Sequence, residues 1–169
     1  MSILIPPHIE TRDEIRTVGI TRSVTMDQIA EVADSIPGVE GWLAEQGAAP
    51  AGPPFFRYHV LDMAGQSLVE AGFPVPADTQ LATDGGEVAL GTIPAGRYAV
   101  VVHRCRPDEL YQATADLLTW AEGEGLAWDA WETPEGHAWR GRLENYFTDP
   151  EEEPDLSRWE TELAFRLAD

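Results

Sequence analysis

Leu143-Glu144-Asn145-Tyr146-Phe147-Thr148-Asp149-Pro150 begins with the alternation of a β-strand and places the acid Glu144 among apolar and aromatic residues. Successive strand side chains point to opposite faces, so Glu144 and Tyr146 share one face and Leu143 and Phe147 share the other. We expect the apolar pair to face the core. A carboxylate and an aromatic ring then point together to the opposite side, which is the chemistry that holds a cationic or electron-poor aromatic molecule.

Outward from this segment, the chain repeats one order of elements: a strand, a helix and two strands. The predicted elements of the first half are a strand at 14–24, a helix from Thr25 to Gly47 interrupted at Pro37-Gly38, and strands at 55–63 and 67–75. A turn at Asp84-Gly85-Gly86 follows. Those of the second half are strands at 87–93 and 97–105, a helix from Pro107 to Gly123 or Gly125, and strands at 141–148 and 158–166.

This order predicts one α+β domain built by a pseudo-twofold duplication of the strand-helix-strand-strand unit. We expect an antiparallel sheet with two main helices and a central ligand cleft where the halves meet.

The composition is that of one acidic globular domain. The 169 residues are 43% hydrophobic, and 30 acidic against 11 basic residues give a net charge of -19. Such a field repels nucleic-acid phosphates, so we expect no direct nucleic-acid binding. The same acidity also arises in any acidic proteome, without a functional cause.

Other common signals are missing from the sequence. No segment approaches the roughly 20 apolar residues that span a bilayer, and the N-terminus lacks a signal-peptide pattern, so we expect a cytoplasmic protein without a membrane partner. The single cysteine, Cys105, excludes an intrachain disulfide or a thiolate metal cluster. The four histidines lack ligand spacing, and we expect no metal site and no cofactor.

Four segments occur in the order found in a known family. They are FRYH at 56–59, VEAGFPV at 69–75, IPAGRYA at 93–99 and LENYFTDP at 143–150. Together they resemble the GyrI-like small-molecule-binding family, which also supplies the effector-binding domains of multidrug-responsive transcription regulators. The resemblance covers residues 12–167, and we assign residues 13–168 to the domain and residues 1–12 to an N-terminal extension.

The resemblance implies a cleft in which a strand-borne glutamate, matching Glu144, binds lipophilic, cationic and aromatic molecules. Two alternatives follow from relatives. One is a hydrolase that opens strained cyclopropane rings of DNA-alkylating natural products, with Glu144 and Tyr146 as catalytic residues; the other is an inhibitor of DNA gyrase, whose acidic surface mimics DNA. Because only residues 1–12 precede the domain, we expect a stand-alone member without the DNA reader of the regulators.

The chemistry of Glu144 agrees with the first two functions. An unpaired carboxylate in an apolar cleft is costly, and its pKa shifts upward. An arriving organic cation removes that cost, and aromatic walls add about 0.5–2 kcal/mol each. A raised pKa also makes the carboxylate a usable general base towards water. Alternatively, Glu144 pairs with Arg140 or Arg142, which share its strand face, and loses its preference for cations.

Further aromatic residues are candidates for the walls of the cleft. Besides Glu144 and Tyr146, the candidate ligand-binding residues are Tyr58, Phe73, Tyr98, Trp128, Trp131 and Trp139. The three tryptophans lie in the connection before the Glu144 strand, where they either cover the cleft or only pack in the core.

Overall fold

The protein is an antiparallel sheet with its helices packed on one face, as seen in a computed structural model that describes residues 1–83 and 86–169. The strands are β1 Ser2–Arg12, β2 Ile15–Val24, β3 Phe55–Leu61, β4 Ser67–Pro74, β5 Ala89–Ile93, β6 Gly96–Arg104, β7 Ala130–Thr133, β8 Gly136–Trp139, β9 Arg142–Tyr146 and β10 Glu160–Arg166. The helices are α1 Ile29–Ala33, α2 Ile36–Glu45 and α3 Leu110–Gly123. The predicted α+β class is confirmed.

The order of the strands shows the duplication directly. It runs β1-β6-β10-β9-β3-β4-β2-β5, so β6, β10 and β9 on one side mirror β2, β4 and β3 on the other. The outer strands are exchanged: β1 precedes β2 but pairs with β6, and β5 precedes β6 but pairs with β2. Each half therefore completes the sheet of the other, and the two halves share one continuous sheet.

The sequence predicts an extension at residues 1–12, and the structure has the edge strand β1 there. The eight residue pairs that join β1 to β6 include Arg12 opposite Gly96. The register shifts between Ile5 and His8, at Pro6-Pro7, because proline has no N–H to give to a ladder. An edge strand with prolines and with Ile3 and Ile5 exposed lacks the alternation that predicts a strand.

The tryptophan-rich connection also differs from its prediction, because it contains the hairpin β7–β8. Strand β8 pairs with the end of β3, through Val60 opposite Ala138. The hairpin therefore continues the sheet beside the strand that carries Glu144. The turn of the hairpin requires glycine at position 136. Gly136 has φ +141°, and a Cβ there would lie 2.5 Å from the carbonyl oxygen of Leu61.

Both helical segments follow the sequence closely. The first segment begins at Thr25, whose N–H donates to Gln28 Oε1 at 3.1 Å. This segment is divided into α1 and α2 before Pro37. The buried stripe of α3 is Leu110, Ala113, Leu117 and Ala121. Thr114 and Leu118, also predicted for that stripe, flank it and are half-buried.

Two sequence predictions are compared with the described residues only. The predicted turn at Asp84-Gly85-Gly86 lies partly outside the described residues, since the structure does not describe residues 84 and 85. Within residues 1–83 and 86–169, none of the helices has the length and the apolar character needed to cross a membrane.

Strands β2 and β4 approach closely at the pair Gly19 and Gly72. A Cβ on Gly72 would lie 2.2 Å from the Val18 carbonyl oxygen and 3.1 Å from the Phe55 ring. We therefore expect Gly72→Ala to lower the free energy of unfolding by about 1–3 kcal/mol, measured by urea denaturation.

Gly41, in the middle of α2, is the matched control because nothing lies within 4 Å of its added Cβ. Gly41→Ala should raise the free energy of unfolding by about 0.5–1 kcal/mol, since alanine favours the helix. Equal effects at the two glycines would contradict the close approach of β2 and β4.

Candidate functional site

Glu144 lies at the centre of the sheet, on the face that the helices cover. In the sheet it is opposite Phe56 of β3 and Leu163 of β10. Both neighbours belong to apolar clusters, one packed against α1 and one against α3. The carboxylate is therefore held between the two halves, and the residue is only 9% exposed.

Two tyrosine hydroxyls satisfy this buried carboxylate. Tyr58 donates to Glu144 Oε1 at 3.0 Å, and Tyr146 donates to Glu144 Oε2 at 2.5 Å. The Tyr146 ring packs edge-on against Phe56, with 5.2 Å between the centroids. Each carboxylate oxygen thus has one donor, and an aromatic wall surrounds the pair.

The two tyrosines are equivalent under the duplication. Strands β3 and β9 are paired around Phe56 opposite Glu144, so an axis at that pair relates Phe56 to Glu144. Tyr58 and Tyr146 each follow this pair by two residues, and the same axis relates them. The duplication therefore supplies both donors, while the axis itself carries an acid in one half and a phenylalanine in the other.

Burial controls the protonation of this group. Loss of water raises the pKa of Glu144, against the opposing effects of the hydrogen bonds from Tyr146 and Tyr58 and of the positive charge of Arg142. Burial and the nearby carboxylate both raise the pKa of the two tyrosines well above the ordinary value. The hydroxyls consequently stay protonated and remain donors.

Arg142 shares the face of Glu144 but does not pair with it. Among the described residues, no hydrogen bond or ion pair joins the two side chains, although the guanidinium charge acts on the carboxylate. The guanidinium instead lies 4.7 Å from the ring centroids of both Trp139 and Phe165. Burial lowers the pKa of Arg142 to about 10, so it stays charged at neutral pH.

Arg140, the other predicted partner of Glu144, lies elsewhere. Its Nε is 3.0 Å from Oδ2 of Asp129, and its guanidinium stacks 5.0 Å from the Trp131 ring centroid. Neither arginine therefore forms an ion pair or a hydrogen bond with the carboxylate of Glu144 in the described residues.

The predicted wall residues divide into three places. Trp139 is buried near the site, and the ring centroid of Trp128 lies 5.5 Å from that of Trp139. Trp131 is 43% exposed on the hairpin. Phe73 lies on the same sheet face but packs under α2, in a cluster with Val39 and Leu43. The structure thus brings Tyr58 and Tyr146 to the acid, with Trp139 against Arg142 and Trp128 behind Trp139.

Tyr98 lies on the opposite face of the sheet. There it lines a cavity of about 260 Å³ together with Phe55, Leu143 and Phe147. Its hydroxyl donates to the carbonyl oxygen of Pro94 at 2.6 Å. At the rim, Arg12 binds both oxygens of Glu162 at 2.9 and 3.0 Å. Tyr98 and Glu144 are therefore not part of one site in this conformation.

The expectation that Leu143 and Phe147 both face the core is half wrong. Leu143 is buried, but Phe147 is 45% exposed, because β9 ends at Tyr146 and the chain turns away. Sequence reasoning also missed Phe56 and Phe165 as neighbours of the site. Alignment of the two halves on Tyr58 and Tyr146 would have identified Phe56, whereas Phe165 gives no signal before β10 is placed.

Comparison with known proteins adds a family and a fold. The model of a family described as GyrI-like small molecule binding domain matches residues 5–168. No curated protein matches the sequence.

Several solved structures share the fold. The EcmrR C-terminal domain has a TM-score of 0.71 at 18% identity, over 98% of this chain and 99% of that one. In an EcmrR–DNA complex, the TM-score is 0.73 at 17% identity, over 98% of this chain; the protein spans 58% of that EcmrR chain.

Two further structures with this fold are a hydrolase and a complex with a small molecule. A hydrolase from Listeria innocua has a TM-score of 0.66 at 16% identity, over 96% of this chain and 91% of that one. SAV2435 bound to tetraphenylphosphonium has a TM-score of 0.63 at 12% identity, over 97% of this chain and 94% of that one. At these identities the likeness shows the fold alone.

The raised pKa of Glu144 predicts a pH-dependent effect of the neutral substitution Glu144→Gln. A protonated Glu144 contributes stability below the ordinary glutamate pKa of the unfolded chain, and this contribution is lost as pH rises through the higher native pKa. Glutamine stays neutral throughout. The melting temperature of the variant relative to wild type should therefore increase between about pH 4 and about pH 8.

Thermal denaturation followed by circular dichroism measures this difference. Glu40→Gln, on the exposed side of α2, makes the same change of charge without burial and serves as the control. A Glu144→Gln difference that stays constant, or decreases, with rising pH would contradict the raised native pKa.

Proposed function

Because this chain belongs to the GyrI-like small molecule binding domain family, we propose that it binds lipophilic, cationic aromatic molecules at Glu144. The observation that carries the proposal is a buried carboxylate whose hydrogen bonds come only from Tyr58 and Tyr146 among the described residues. Both donors are side chains at the ends of rotatable bonds. A cation that displaces them would gain the charge of a desolvated acid.

The surroundings of Glu144 favour an aromatic guest. Phe56, Tyr58 and Tyr146 present ring faces and edges close to the carboxylate. Rings of this kind attract cations by about 0.5–2 kcal/mol each when desolvated. The net charge of -19 also concentrates cations near the protein. SAV2435, which shares the fold, was solved with the aromatic cation tetraphenylphosphonium.

The site is closed in this conformation. Glu144 is only 9% exposed, whereas Tyr146 is half-buried and reaches the surface. A ligand therefore enters after Tyr146 and the adjoining side chains move aside. Such an opening requires local motion and leaves the exchanged strands in place.

The test uses tetraphenylphosphonium as the probe, with tryptophan fluorescence as the readout because Trp139 and Trp128 lie beside the site. We expect a Kd below about 100 μM, equivalent to a binding free energy of about -5 kcal/mol or better. Glu144→Gln should weaken binding at least about tenfold, because it removes the counter-ion.

Glu40→Gln keeps the same net charge as Glu144→Gln and should bind like wild type. Failure of wild type to bind, or equal affinities of the two variants, would remove Glu144 as the counter-ion.

We also propose a hydrolase as the second candidate, favoured by the raised pKa of Glu144 and by the hydrolase from Listeria innocua that shares the fold. In this reaction Glu144 takes a proton from water as the water oxygen bonds to a carbon of a strained cyclopropane. The carbon–carbon bond breaks, and its electron pair passes to a conjugated carbonyl oxygen, which is protonated. In this proposal Tyr146, whose hydroxyl is hydrogen-bonded to Glu144, donates that proton and is then reprotonated from Glu144.

A spirocyclopropyl cyclohexadienone is the simplest probe, since its hydration gives a hydroxyethyl phenol. We expect wild-type protein to produce this phenol at least about 100-fold faster than Glu144→Gln, the lower end of a general base's contribution. Mass spectrometry detects the gain of one water. A rate equal to that of buffer alone would leave binding as the only activity.

Two other predictions concern macromolecular partners, namely gyrase and nucleic acid. Gyrase inhibition depends on the net charge and makes no use of the geometry at Glu144. The absence of direct nucleic-acid binding stays a prediction. One EcmrR structure is a complex with DNA, and the present chain spans 58% of that EcmrR chain.

A further inference from the structure

Two N–H groups of the stacked pair Arg142 and Trp139 lack a hydrogen-bond acceptor. Arg142 Nε and Trp139 Nε1 are both buried and make no hydrogen bond in the described residues. Buried donors of this kind are uncommon, since leaving one unpaired carries the full cost of its desolvation. Arg142 shares a strand face with Glu144, and Trp139 stacks against Arg142.

The aromatic rings do not replace the missing acceptor. Trp139 and Phe165 lie 4.7 Å from the Arg142 guanidinium carbon and stabilise its positive charge through their π-systems. A guanidinium also donates in its own plane through five N–H groups, which require oxygen acceptors. The Nε of Arg142 has no such acceptor within residues 1–83 and 86–169.

Arg142 is partly exposed to solvent. Arg142 as a whole is partly exposed although its Nε is buried, so the side chain lies at the border between the site and solvent. Arg142 and Glu144 are two residues apart on one strand face, which places their Cα atoms about 6.6 Å apart. An aromatic molecule of two fused rings spans that separation.

We propose that Arg142 and Trp139 bind an oxygen acceptor on the same molecule whose cationic part contacts Glu144. The proposal rests on the proposed function and narrows its ligand class to aromatic cations that also carry a carboxylate. Such a ligand satisfies the buried acid and the unpaired donors together. A ligand with positive charge alone satisfies the acid but brings its charge close to the guanidinium.

The matched probes are rhodamine 110 and rhodamine 123, which share one cationic ring system. Rhodamine 110 carries a free carboxylate, whereas rhodamine 123 is its methyl ester. Fluorescence anisotropy gives the Kd of each. We expect wild-type protein to prefer rhodamine 110 by at least about tenfold, because only the carboxylate is a full anionic acceptor for Arg142.

Arg142→Met keeps an unbranched chain between Trp139 and Phe165 and removes the charge and the donors. It should abolish the preference, because rhodamine 110 loses the donors that bind its carboxylate and rhodamine 123 loses the repulsion from the guanidinium. Trp139→Phe keeps an aromatic ring and removes only one donor, so it should reduce the preference part of the way. Thermal denaturation of both variants establishes that they are folded.

Glu144→Gln separates this proposal from the one on which it rests. It should weaken both dyes and leave their ratio above one. If it weakens neither dye, the proposed function fails. If it weakens both while the ratio is one in wild type, or unchanged in Arg142→Met, the acceptor site is wrong and the cation site stands.

Discussion

The structure depends on a carboxylate that is withdrawn from water at the seam between its two halves. Glu144 lies where β9 meets β3, and its only hydrogen-bond donors in the described residues are Tyr58 and Tyr146. A buried acid is costly unless its oxygens are satisfied, so its position constrains everything packed around it. Two neutral hydroxyls satisfy the oxygens and leave the charge uncompensated, which keeps the site responsive to an arriving cation.

The fold places both donors with one device, the duplication. The pseudo-twofold axis passes through the pair Phe56 and Glu144, so corresponding tyrosines approach the acid from opposite halves. Exchange of β1 and β5 between the halves fixes that seam, because neither half can complete its sheet alone. Arg142, stacked between Trp139 and Phe165, adds a positive charge whose field acts on the acid without neutralising it by contact.

Most of the fold could be predicted from the sequence, because the strands and helices of both halves have clear periods and turn residues. The exceptions have physical causes. Strand β1 is an exposed edge interrupted by Pro6-Pro7, so no alternation indicates it. The β7–β8 hairpin is short, and its tryptophans are equally suited to a loop. At the site, alternation correctly placed Glu144 and Tyr146 on one face, but it assigned Tyr98, which lies on the other face of the sheet, to the same cleft.

The central claim is that Glu144 is desolvated in the free protein and becomes the counter-ion of a bound cation. The direct measurement is a pH titration of the side-chain carboxyl carbons by NMR on protein labelled with ¹³C-glutamate, with Glu144→Gln to assign the resonance. The account predicts a pKa above the ordinary glutamate value in free protein and a lower pKa when tetraphenylphosphonium is bound, since a cation favours the ionised acid. An ordinary pKa that tetraphenylphosphonium leaves unchanged would contradict it.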